Sequence, residues 1–287
     1  MPGRTPQSQT DSAMKKLWSL NEKERGEGMD ELLRLGPGSI EKLTSLLAEL
    51  IHDQRPRFSP GKEQEGQRAL DEYLRSVRTF YKEGTDYADT KPAKDRLNAL
   101  TINSRLMTDV IHLLAKLKAE QAVPLLMEMV NRHWEITHSG FIFQTPETIA
   151  LEQIGAASVP QLVKNLDEDT IRSFGFEPLV YGWRVVVEDE DEDEPDPDDE
   201  LDRQTHIGNV RLRVAAILGD IGDTRALPYL ERLLSETRSH PESPMFGIAG
   251  SLSGTIEFAI ARIKKTGPWS AEKNAITPGT IRPVPKP

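Results

Sequence analysis

The chain has no cysteine. That removes disulfides, thiolate metal sites and cysteine nucleophiles, and it fits a reducing compartment. It also has no long apolar run. Nothing approaches the roughly 18 consecutive apolar residues of a membrane span. The start, "MPGRTPQSQTDSAMKKLW", lacks an apolar stretch after its positive charges, so it does not read as a secretory signal. These absences point to a cytoplasmic protein. Basic residues are absent from one segment, "EDEDEDEPDPDDE" at 188–200, which holds 11 acidic side chains. The whole chain carries −10, so without that run the remainder carries +1. The acidity belongs to one segment and not to the folded body.

What is present is a recurring helical hairpin. In "VRLRVAAILGDIGDTRALPYLERLL", 210–234, Gly222 follows Ile221 by one residue and Leu218 by four. With Val214 and Val210 they form an apolar stripe on one helix face. After Gly222 and Asp223 a second stripe runs through Leu227, Leu230 and Leu234. Pro228 sits in the first turn of that second helix, where its missing N–H costs little. The same grammar stands at 150–166 around Gly155, with Ile154, Leu151 and a Val159-Pro160 step before Leu162 and Leu166. It stands at 110–130, where Lys118 takes the glycine place after Leu117 and Leu114, and Val123-Pro124 opens the second helix. It stands at 29–50 around Gly36, with Leu35, Leu32, and then Leu43, Leu46 and Leu47. Arg25 precedes Gly36 by eleven residues, as Arg211 precedes Gly222. One hairpin cannot bury its apolar face alone, whereas stacked hairpins can.

This motif resembles the HEAT repeat, in the short bacterial form also found in phycobilisome-lyase-type proteins. The resemblance implies an all-α fold, an armadillo/HEAT-type α-solenoid built as a superhelix of about four to five stacked hairpins. The repeats lie near 20–51, 102–131, 146–168 and 205–237, within a domain spanning 13–265. The reference positions are separated by 82, 37 and 67 residues, so the first and last gaps carry insertions. In the first, 63–84 places Leu70, Tyr73, Leu74, Val77, Phe80 and Tyr81 at helical spacing, which predicts a helical insertion packed on the solenoid. In the second, "PLVYGWRVVV" breaks the helical period and reads as a short hairpin or extended segment. An acidic loop follows over 186–204. A capping helix is expected over 253–265, with Ile256, Ala259, Ile260 and Ile263 on one face. Residues 1–12 and the proline-rich 266–287 read as flexible tails.

Catalytic signatures are missing. HEAT-type deoxyhypusine hydroxylase holds a di-iron site with His-Glu pairs, and none of the six histidines here is followed by Glu. His133 and His138 in "HWEITH" are five apart, which puts them on different helix faces, and Glu135 is not adjacent to the first. "GIAGSLSG", 247–254, lacks the Lys-Ser/Thr of a phosphate loop, and Leu252 occupies the place a nucleophilic serine would need, so it reads as a loop before the capping helix. The acidic run lacks the order of a calcium-binding loop and reads as a solvated tether. HEAT-like DNA glycosylases use a basic concave face. Arg211 and Arg213, and Arg68, Arg75, Arg78 and Lys82, are the candidates here, but a body near +1 does not favour nucleic acid.

The expectation is a monomeric, non-catalytic scaffold or adaptor whose concave face, lined by the second helices, binds a protein or peptide. No catalytic, cofactor or metal residue is named, no cofactor is expected, and neither membrane nor nucleic acid is the expected partner. The alternative implied by the resemblance is an enzyme-associated role like that of phycobilisome-lyase-type proteins, which handle bilin attachment. Tyr181, Trp183 and Arg184 are the candidate partner contacts, being residue types enriched at interface hot spots.

Overall fold

The computed structural model describes residues 6–84, 86–132, 145–176, 179, 198–239 and 246–266. Among these the chain is all-α, and its one extended contact is an isolated bridge between Phe58 and Thr101. Helix α1 (Pro6–Leu17) packs on α2 (Glu22–Leu35). The reading of 1–12 as a tail is therefore corrected from Pro6 onward. The segment is polar, but Thr10, Ala13 and Leu17 are buried. Gly28 of α2 lets the two helices close up, since a Cβ there would stand 2.9 Å from the Ala13 carbonyl. Packing of one face outweighs weak propensity.

Helix α3 (Ile40–His52) follows α2. The chain then makes an excursion through α4 (Glu63–Glu83) and α5 (Lys91–Leu100) before returning to α6 (Asn103–Lys116). Helix α7 (Val123–Arg132) completes that pair. Helices α8 (Pro146–Ile154), α9 (Val159–Lys164) and α10 (Glu168–Arg172) come next. The long α11 (Asp198–Ile221), α12 (Leu227–Ser239) and α13 (Phe246–Thr266) end the described chain. Successive pairs lie on one another. Helix α3 packs on α6 and α7, α8 on α6 and α7, α11 on α8 and α9, and α13 on α11 and α12. One buried apolar cluster runs from Ala13 and Leu17 to Ile260 and Ile263 through all of them. Helix α11 is buried nearly all round from His206 to Gly222, as expected of a helix covered on several sides.

Two boundaries move. The glycine-rich 247–254 is helical, forming the first turns of α13 instead of a loop. Leu252, one turn before Ile256, carries the buried stripe back into it. The acidic run also ends in helix, because α11 begins at Asp198.

The excursion does not pack on the main core as the spacing implied. Ala69, Tyr73 and Val77 of α4 meet Ala93, Leu97 and Leu100 of α5 in a second, separate cluster. Its entry and exit are tied together at the base. The Phe58–Thr101 bridge closes it, and Ile102 donates to the Arg57 carbonyl at 3.0 Å. The buried Asn103 accepts from Arg57 N at 2.7 Å and donates to the Arg55 carbonyl at 2.9 Å.

The four reference positions all have positive φ: Gly36 62°, Lys118 52°, Gly155 79° and Gly222 71°. They are of two kinds. Gly36 (ψ −138°) and Gly155 (ψ −133°) occupy a region essentially closed to residues with a Cβ, and their N–H groups donate to Leu32 and Leu151. Three residues later Ser39 and Ser158 donate their hydroxyls to the same two carbonyls, at 3.2 and 3.1 Å. The leucine four residues before each reference position, Leu32, Leu114, Leu151 and Leu218, has its side chain fully buried. At Lys118 the helix closes differently. Ala119 N–H reaches the Leu114 carbonyl and Lys118 N–H reaches Ala115, each at 3.0 Å, which is the Schellman pattern. Its left-handed residue tolerates a side chain at modest cost, so Lys replaces Gly here.

Candidate binding surface and interior polar clusters

Tyr181, Trp183, Arg184, His133 and His138 lie outside the described residues, as does 188–197. The two arginines of α11 considered for nucleic acid turn inward. Arg211 Nε donates to the Leu166 carbonyl at 2.9 Å, and the buried Arg213 donates Nη1 to the Val130 carbonyl at 3.2 Å. Arg25, the counterpart of Arg211, donates to the Ser19 and Leu20 carbonyls and pairs with Asp109 at 3.2 Å. In these two hairpins the arginine eleven residues before the turn thus reaches a carbonyl of the segment before it. On α4, Arg68, Arg75 and Arg78 are exposed. Arg75 borders a depression of about 330 Å³ whose other walls include Glu72 and Asp89, a mixed and not a basic surface.

Turns also grip their neighbours. Lys118 Nζ donates to the Gln153 carbonyl, in the last turn of α8. Arg225, held by a bidentate pair with Asp223, donates to the Ala156 carbonyl at 2.8 Å. Asp223 is thereby held below the usual carboxylate range, chiefly by the Arg225 side-chain hydrogen bonds.

Two polar clusters join successive hairpins, the first of them fully buried, and neither was legible from spacing. In the first, Asn131 of α7 donates to the Met127 carbonyl at 2.6 Å and accepts from Asn165 at 2.8 Å. His206 of α11 donates Nε2–H to the Asn131 carbonyl, and Phe176 meets the His206 ring edge-on at 5.8 Å. Asn131 and Asn165 are fully buried. The cluster joins the end of α7, the end of α9 and the body of α11, so it fixes the register of three hairpins. The only trace of it in the sequence is polar residues inside apolar stripes, as in "LVKNL".

The second cluster lies where α8, α11 and α13 meet. Arg262 of α13 forms an ion pair with Asp220 of α11, and Glu152 of α8 lies near enough for their charges to act on it. Burial, then the neighbouring Asp220 charge, pushes Glu152 up to about 8. Asp220 is also raised by burial, against the pull of Arg262.

The second helices α7, α9 and α12 share a register. Counted from the apolar-Pro step, Leu125, Gln161 and Tyr229 are equivalent on α7, α9 and α12, as are Glu128, Lys164 and Arg232. Tyr229 is 42 % exposed, and on α13 Phe258 is 64 % exposed, the two exposed large hydrophobics among the described residues. Each carries a guanidinium near its ring, Arg232 at 5.9 Å and Arg262 at 5.7 Å. Among the described residues no group of His, Asp and Glu side chains could hold a metal ion, and no helix is long and apolar enough to cross a membrane.

Residues 210–236 match the family described as the PBS lyase HEAT-like repeat. No curated protein and no solved structure matches the chain. The match covers the hairpin of α11 and α12 and supports a HEAT-like repeat protein.

Proposed function

We propose that this HEAT-like repeat chain is a non-catalytic scaffold that binds a protein or peptide. In this reading the hairpins coil as an α-solenoid, and the second helices α3, α7, α9 and α12 line its concave face. The supporting observations are the matched register of α7, α9 and α12 and the positive-φ turn before each of the four second helices. A shared register sets equivalent side chains side by side, which is how repeat proteins build extended binding surfaces. Tyr229 and Arg232 are the residues on that surface best suited to anchor a partner. Tyr181, Trp183 and Arg184 are proposed as a further contact.

The test is affinity capture from native lysate with the wild-type chain, with a Tyr229→Ala/Arg232→Ala variant and with 188–200 deleted. A specific protein recovered by wild type and lost by the double variant supports the scaffold and its face. Loss on deletion would make the acidic run a contact instead of a tether. Recovery of a pigment, nucleotide or metal with no protein overturns the scaffold in favour of a small-molecule role.

A further inference from the structure

Helix α13 packs on both helices of the pair before it, as α8 packs on α6 and α7 and α11 on α8 and α9. It is placed as the first helix of a further hairpin, and among the described residues no second helix follows it. The face that a following hairpin would cover is open. Gly254, Phe258, Ala261 and Lys265 are exposed along it, at spacings of four, three and four residues. That spacing makes them d, a, d and a positions of a heptad, so they lie in one stripe down the helix.

We infer that this stripe docks on the same stripe of a second copy of the chain, with the two α13 helices antiparallel about a two-fold axis. An antiparallel pair sets each a position against a d position of the other helix. Phe258 then lies against the partner's Ala261, and the axis makes that contact twice. The same register sets Lys265 over the partner's Gly254. Around Gly254 nothing lies within 4 Å of where a Cβ would stand, so the lysine methylenes can cover it while the ammonium stays in water. Each large side chain meets a small one. A parallel pair would instead set Phe258 on the partner's Phe258, and Lys265 on the partner's Lys265 with like charges together.

The charges beside the stripe select the same occupant. Glu257 and Lys264 both stand on the α12 side of α13, where they pair with Arg238 and Glu231. In an antiparallel pair each flank faces the same flank of the other helix. Glu257 therefore comes beside the partner's Lys264, and Lys264 beside the partner's Glu257. Arg238, Glu257, the partner's Lys264 and the partner's Glu231 then form a row of alternating sign, and the axis repeats it. Alone, half-exposed pairs of this kind contribute little, whereas joined in a network they contribute more. On the other flank Arg262 is held by Asp220 and comes beside the partner's Thr255, so no like charges meet there. The dimer departs from the monomer expected from the sequence.

The test is sedimentation velocity of the full chain from about 1 to 100 μM, because a contact this small is expected to associate at micromolar concentrations. The mass is expected to move from 32.2 kDa toward twice that value. Phe258→Asp is expected to stay at the monomer mass throughout, with unchanged far-ultraviolet circular dichroism. The chain has no cysteine of its own, so the register can be read by cross-linking. Oxidising a mixture of Gly254→Cys and Lys265→Cys chains is expected to join one of each, and neither to its own kind. A wild type that stays monomeric, or a dimer that survives Phe258→Asp, overturns the contact. Gly254→Cys chains joined to each other overturn the antiparallel register. A dimer formed only after removal of 267–287 would make that segment the occupant of the face in the full chain, and would overturn the proposal as well. Should Phe258→Asp fail to fold, the cross-linking pattern decides it.

Discussion

The stacked hairpins and the α4–α5 excursion are both pairs of amphipathic helices, yet they are held differently. The stack shares one apolar cluster, so each pair is buried by the next. The excursion buries Ala69, Tyr73, Val77, Ala93, Leu97 and Leu100 against each other and closes on itself. Its attachment is the pairing of residues 57–58 with 101–103 and the seat of Phe58 beside Gly66. The difference shows what makes a hairpin a repeat. Amphipathicity alone gives a pair of helices. The turn grammar and the cross-hairpin carbonyl contacts give a pair that others can stack on.

That contrast can be broken in four ways, in falling order of expected effect. Leu114→Ala, at a fully buried position of the stack, is expected to cost about 2–5 kcal/mol of global stability in urea unfolding. Leu97→Ala, equally buried in the excursion, should split the unfolding curve instead, with an early step confined to α4 and α5. A single shifted transition for both would make the two clusters one cooperative unit.

Asn131→Ala removes the acceptor of the Asn165 amide and leaves that donor buried. The expected cost is about 1–3 kcal/mol, again global, because the cluster joins three hairpins. A local effect seen only at α7 would show that the network does not set their register.

Gly66→Ala sharpens the contrast from the other side. A Cβ at 66 would stand 2.3 Å from the Phe58 ring, so the ring must leave its seat. About 1–3 kcal/mol should be lost by the excursion, and the main unfolding midpoint should stay in place. Near-ultraviolet circular dichroism and far-ultraviolet unfolding curves read the two separately.

The smallest effect is expected at the Lys118 turn. Lys118→Gly relieves a left-handed side chain but frees the unfolded chain and loses the Gln153 contact, so the net change stays within about 1 kcal/mol. Gly155→Ala lacks that balance and should cost about 1–3 kcal/mol despite open space around it. Equal effects at 118 and 155 would erase the distinction between the two kinds of turn.

The repeats were legible because their cause is local. The leucine four residues before each turn is fully buried in all four hairpins, so it leaves a fixed spacing. Helix α1 was not legible, because its polar composition hides a narrow face of Thr10, Ala13 and Leu17 that only α2 makes useful. The start of α13 was hidden the same way by glycine and serine. The insertion over 63–84 announced a helix, but periodicity carries no information on which surface a helix finds. Nothing local marks the interior clusters, since Asn131, Asn165 and His206 come from three separate segments of the chain.

The most direct measurement is native-state amide hydrogen exchange of the full chain at neutral pH, compared between residues 63–100 and helices α6, α7, α8 and α11. The expected result is that 63–100 exchange through an opening of lower free energy, while the four stacked helices share the slowest rate, that of global unfolding. One common opening free energy for both regions would contradict a stack that stands independently of its excursion.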